Sequence, residues 1–179
     1  QGEGIRGGLS EAVRAMLEAV RAEDPVAAFG QGRINQLVEA DLVACLDMLQ
    51  QTEWSPGTER LLKALMQRWT GLDPATAGAH ALTVERRRAR DLVTTQVLDQ
   101  WSRKDPAAAL AWYLAETAKD PRALSSATRS LFRNLAGQDV AGALVSAWRL
   151  GDSALKQTAI KAVVEKVIRG AGPEALLGV

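Results

Sequence analysis

The chain has 179 residues, enough for one ordinary domain with a sizeable core. Its composition, 47% hydrophobic and 24% charged, is that of a globular chain, and no run of about 18 apolar residues offers a transmembrane helix. A net charge of +1 argues against bulk nucleic-acid affinity, and a single cysteine, Cys45, excludes an intrachain disulfide.

Alanine and leucine dominate and β-branched runs are scarce, so the elements are expected to be helices. Residues 1–8, QGEGIRGG, are glycine-rich and read as a flexible N-terminal segment. Gln1 in place of an initiator methionine suggests an excised or processed piece. Ser10 is a candidate N-cap for a helix over 11–21, with Val13, Met16, Leu17 and Val20 as its stripe. Asp24-Pro25 starts a further helical stretch toward Leu37, which Gly30 and Gly32 should interrupt. Together 9–36 form an irregular N-terminal helical unit.

A junction then recurs. In QWSRKDPAAALAW (100–112), Val93, Val97, Leu98 and Trp101 end one apolar stripe, and Asp105-Pro106 begins the next helix. Aspartate caps because its carboxylate accepts from the unpaired first-turn amides, and proline fits the first helical position. Arg103 and Lys104 suit the carbonyl end of the preceding helix. A link of three residues between the helices is expected, which makes an antiparallel hairpin.

With Asp105 as origin, Asp73-Pro74 fits 32 residues earlier and Asp41 another 32 earlier. Asp139 fits 34 later and Gly172-Pro173 another 33. Four residues before each origin stand Leu37, Trp69, Trp101, Leu135 and Ile168. Gly71, Gly137 and Gly170, two before, suit a left-handed C-cap. Three and four after the origin the residues are mostly small. Asp120-Pro121, Ser55-Pro56 and Asp152-Ser153 read as the starts of the intervening helices.

A fixed period in this range is the mark of a helical repeat array, in which each hairpin buries its apolar flank on the next. The expected fold is therefore all-α, a right-handed α-α superhelix or solenoid of antiparallel helical hairpins with period 32–34. Residues 37–179 would hold four to five repeats, the last truncated, so the parent chain is expected to continue.

The strings RLLKALMQRWTGLDPATA and VLDQWSRKDPAAALAW resemble the tandem W-x-x-x-D-P-x-A-A-L-x-W helical repeats of uncharacterised bacterial proteins. Two copies carry Trp and Asp-Pro together. Later copies depart, with Leu135 for tryptophan and Val140 for proline. The resemblance implies a structural motif with no catalytic residues to transfer. Similarity to HEAT and tetratricopeptide arrays is architectural alone.

Candidate sites are few. Trp69 and Trp101 fall in the core register. Trp112 and Trp148 lie on second helices, where they fill gaps between hairpins or line an inner groove, and Tyr113 beside Trp112 is a further candidate contact. Trp54, in a loop, is an exposed anchor or a lid over helix ends. Arg86, Arg87, Arg88 and Arg90 are the sharpest charge cluster, either a phosphate or acidic-peptide grip or a solvated turn partly neutralised by Glu85 and Asp91. His80 and Cys45 lack metal-ligand spacing, and no phosphate loop or nucleophile elbow is written. No cofactor, metal or catalytic group is assigned.

The leading expectation is a non-enzymatic scaffold with a concave surface for a protein or peptide, contacted through Trp112, Tyr113, Trp148, Trp54 and Arg86–Arg88. A nucleic-acid-binding HEAT-like protein using Arg86–Arg90 is the first alternative. A structural spacer within a larger, envelope-associated protein is the second.

Overall fold

The computed structural model describes the backbone of residues 3–171 and the side chains of residues 11–170. The chain is all-α, with eleven helices and no strand among the described residues. These are α1 (Glu3–Ala19), α2 (Pro25–Phe29), α3 (Gln31–Gln36), α4 (Glu39–Gln51), α5 (Pro56–Leu72) and α6 (Pro74–Thr83), then α7 (Arg87–Lys104), α8 (Pro106–Lys119), α9 (Thr128–Ala136), α10 (Val140–Trp148) and α11 (Ser153–Ala171). They fall into two compact units that divide inside α7, between Val93 and Thr94.

In the first unit α5 is the hub, packed on α2, α3, α4 and α6. Leu61, Leu65, Met66 and Trp69 form its buried face at helical spacing. Its polar side also ties loops down: Arg60 donates to the Glu23 carbonyl at 3.1 Å and Arg68 to the Leu37 carbonyl at 3.4 Å. Gly30, with φ of +91°, separates α2 from α3 in a conformation that a side chain would strain. Gly32 does not interrupt anything, since it sits inside α3.

In the second unit α9 is the hub, packed on α8, α10 and α11. It buries Leu131, Phe132 and Leu135. Phe132 meets Tyr113 edge-on, with ring centroids 5.9 Å apart.

The capping logic of the sequence holds at most starts. Asp73 accepts from the amides of Ala75 and Thr76, Asp105 from Ala108, and Asp139 from Gly142, all at 3.0 Å. Asp24, Ser55 and Asp152 cap α2, α5 and α11 in the same way.

Several expectations are corrected. Asp41 is not a cap: α4 begins at Glu39, and Asp41 in its first turn accepts from the Val38 amide at 3.4 Å. The glycines do not make left-handed caps, because Gly30 alone among the described residues has positive φ. Asp73 and Asp105 themselves separate their helix pairs, so those links are a single residue. Pro121 does not open a helix. Residues 121–127 form successive tight turns, and α9 starts only at Thr128, whose hydroxyl meets Tyr113 at 2.7 Å. The helix expected from Glu11 begins at Glu3, so Ser10 lies within α1. Residues 1 and 2, and the Gly172-Pro173 junction, lie outside the described residues.

Candidate interaction surface

The helices that follow the capping aspartates, α6, α8 and α10, share one geometry. Counting from the cap, positions four and eight turn inward: Ala77 and Ala81, Ala109 and Tyr113, Ala143 and Ala147 are all buried. Residues four apart share a helix face, so this pair of positions defines the packed side. Position seven leans on the residue four before the cap. His80 lies 4.9 Å from the Trp69 ring, and Trp112 lies 5.8 Å from Trp101, both tilted by 44°. Position nine points away from the core.

That rule sorts the aromatic candidates. Tyr113, at position eight, is fully buried, with its hydroxyl on Thr128. It is a core residue and not a surface contact as expected. Burial pushes its phenol up to about 12, with the charge of Asp152 adding to the rise and the Thr128 hydrogen bond opposing it. Trp112, at position seven, is half-buried on Trp101. Trp148, at position nine, is 69% exposed.

Trp148 does not stand alone. With Leu144, Val145, Arg149 and Ile160 it lines a shallow open depression of about 440 Å³ where α10 meets α11. Lys156 Nζ lies 5.6 Å from its ring centroid, over the π face. Val164, Val167 and Ile168 continue the exposed apolar surface along α11. The junction pattern places Ile168 in the core register and leaves Val164 and Val167 unmarked. Their signal was present: α11 buries Leu155, Ala159, Ala162 and Val163 on one face and carries Ile160, Val164, Val167 and Ile168 on another. A helix apolar on two faces needs two neighbours.

Two further concavities flank α8. One, about 260 Å³, is walled by Pro106, Ala107 and Leu110 against Gly142, Ala143 and Ser146 of α10, whose small side chains keep it open. The other, about 470 Å³, is walled by Leu114, Thr117 and Ala118 against Arg149, Leu150 and Asp152 in the turn after α10.

The first-unit candidates read differently. Trp54 is half-buried and closes an apolar recess with Leu49, Leu62, Val84 and Ala89, the lid alternative rather than a free anchor. Arg86 borders the same recess. Arg87 and Arg88 are solvent-exposed, each 3.8 Å from a carboxylate, Asp91 and Glu59. Arg90 turns back to the Val84 carbonyl at 3.2 Å. The arginines are therefore a partly neutralised helix start.

Cys45 is buried, and that burial, with the Asp41 charge, pushes its thiol up to about 12, so it is a poor nucleophile. Burial lowers the His80 pKa, against the opposing pull of Asp47 at 3.9 Å. Its Nε2 and the Trp69 Nε1 are buried without hydrogen-bond partners. Among the described residues no three His, Cys, Asp or Glu side chains converge, and no helix is long and apolar enough to cross a membrane.

No family model, curated protein or solved structure matches this chain.

Proposed function

We propose that the chain is a non-catalytic binding module that receives a protein or peptide segment on the second-helix side of its C-terminal unit. The observation that carries this reading is Trp148, 69% exposed among Leu144, Val145 and Ile160. A large aromatic surrounded by apolar neighbours loses free energy to hydration that a partner would recover, and such an anchor typically contributes about 2 kcal/mol or more to an interface. The concavity between α8 and the turn after α10 gives the bound segment room beside the anchor, with Arg149 bordering it and the Trp148 depression.

The same proposal takes the hairpins as repeats of a right-handed solenoid and the W-x-x-x-D-P strings as the mark of that repeat class. Support comes from the shared caps at Asp73, Asp105 and Asp139 and from the two ring pairs in equivalent register. Catalysis is the poorer reading, because the chemically capable side chains are buried, capped or scattered.

Peptide display against the full chain tests the proposal. Enriched peptides should lose about tenfold or more affinity for Trp148→Ala, and little for Arg129→Ala on exposed α9 surface. No enrichment, or equal binding to Trp148→Ala, would overturn it.

A further inference from the structure

We infer that the α10–α11 face takes an amphipathic helix whose apolar stripe is edged by carboxylates. This rests on the binding reading above and names the chemistry of its partner.

The helical form of the partner follows from the repeat register. Trp69, Trp101 and Leu135, each four residues before a capping aspartate, are buried. The rings that cover Trp69 and Trp101 come from the helix that follows, at position seven. Ile168 stands at the next step of the register, 33 residues after Leu135, and is 48% exposed. Val164 lies one turn before it on the same face and is also exposed. In the earlier copies the cover is the following helix of the chain, and a partner helix laid along α11 takes that place. The Leu144, Val145 and Trp148 side of α10 widens the seat to two helices.

The charge of the partner follows from the rim. Arg149 is the one charged residue lining the depression, and Lys156 stands over Trp148. Lys161 is exposed beside Ile160 on α11. Two carboxylates stand nearby: Asp152 is occupied by the Leu155 amide at 2.9 Å, and Glu165 on α11 is outnumbered by the three cations. Cationic groups around an apolar seat favour glutamate or aspartate at the edges of the incoming helix. They also disfavour a second copy of this chain, whose isologous approach brings two like-charged rims together.

Two labelled peptides of about 16 residues test this, sharing leucines at i, i+3, i+4 and i+7 and carrying either glutamate or lysine at the flanking positions. Anisotropy titration of the full chain should give the glutamate peptide at least about tenfold tighter binding, weakened by salt. Lys156→Glu should narrow or reverse the preference, and Trp148→Ala should remove binding of both. Equal binding of the two peptides, both lost with Trp148→Ala, would overturn the charge assignment and leave the proposed function standing. Binding of neither peptide overturns this inference, and absence of displayed binders overturns the wider reading separately. Two results in the free chain would assign the face to another occupant and so refute the inference. One is concentration-dependent dimerisation abolished by Trp148→Ala. The other is no difference in acrylamide quenching between wild type and Trp148→Phe, which would mark the face as covered by the chain's own residues 172–179.

Discussion

Asn134 holds Asp99 at two points: its Nδ2 donates to the Asp99 carboxylate at 3.0 Å and to the Asp99 backbone carbonyl at 3.2 Å. The same amide reaches Ser102 Oγ at 3.0 Å, and Ser130 adds a 2.8 Å bond to the carboxylate. This network pins α9 to α7 within the second unit. Asn134→Ala leaves a partly buried acceptor set short of its donor, and should lower the unfolding free energy by about 2 kcal/mol. Urea denaturation checks it, with Asn134→Asp expected to be worse because it sets two carboxylates side by side.

The same site makes stability acid-sensitive. Burial by itself would raise the Asp99 pKa, but the hydrogen bonds from Ser130, Asn134 and Arg103, with the Arg103 charge, together hold it below the ordinary carboxylate value. A depressed folded pKa stabilises above the unfolded value, near about 3.9, and that contribution fades as pH falls through the folded one. Asp99→Asn should therefore flatten the denaturation midpoint below about pH 4 relative to wild type.

Tyr113 is the single tyrosine of the chain, so its ionisation can be followed alone at the phenolate absorbance. Its phenol, pushed up to about 12, should stay protonated in the folded chain well past the ordinary value of about 10. A raised acid pKa means that stability falls as pH rises through the unfolded value. The phenolate signal should then appear together with loss of helical circular dichroism. Tyr113→Phe should cost about 1 kcal/mol at neutral pH, since Thr128 keeps the Leu124 carbonyl as acceptor, 3.2 Å away.

His80 predicts a third pH effect, with the same cause as that of Tyr113, burial, but the opposite direction. Its folded pKa is lowered by burial, with Asp47 opposing, so the unfolded chain binds the proton first. Stability should decline as pH drops through about 6.5 toward the lower folded value. Denaturant midpoints at pH 7.5 and 5.5 should differ less in His80→Gln than in wild type, and an unchanged difference would refute the assignment.

Asp105 tests the caps. Its carboxylate accepts from the Ala108 amide, and Asp105→Ala should cost about 1 kcal/mol, while Asp105→Asn retains most of the bond. Thermal melts of the two variants provide the comparison.

The starts of α2, α5, α6, α8, α10 and α11 were legible because a cap is local: a carboxylate or hydroxyl meets an amide two or three residues on, whatever the rest of the chain does. The buried register of Trp69, Trp101 and Leu135 was legible for the same reason, as helical periodicity. Asp41 misled because one aspartate serves as well in the first turn as at the cap. Residues 121–127 misled because Asp-Pro starts a turn as readily as a helix.

What the amino-acid sequence determined alone was the all-helical class, the capped starts of α2, α5, α6, α8, α10 and α11, and the buried register of Trp69, Trp101 and Leu135. Tertiary packing decided which aromatic faces outward. Tyr113 and Trp148 differ by one position from their caps, about 100° of rotation on a helix. That rotation matters only once α9 lies against α8 and α10 and defines inside. One residue then anchors the core, and the other is left at the surface.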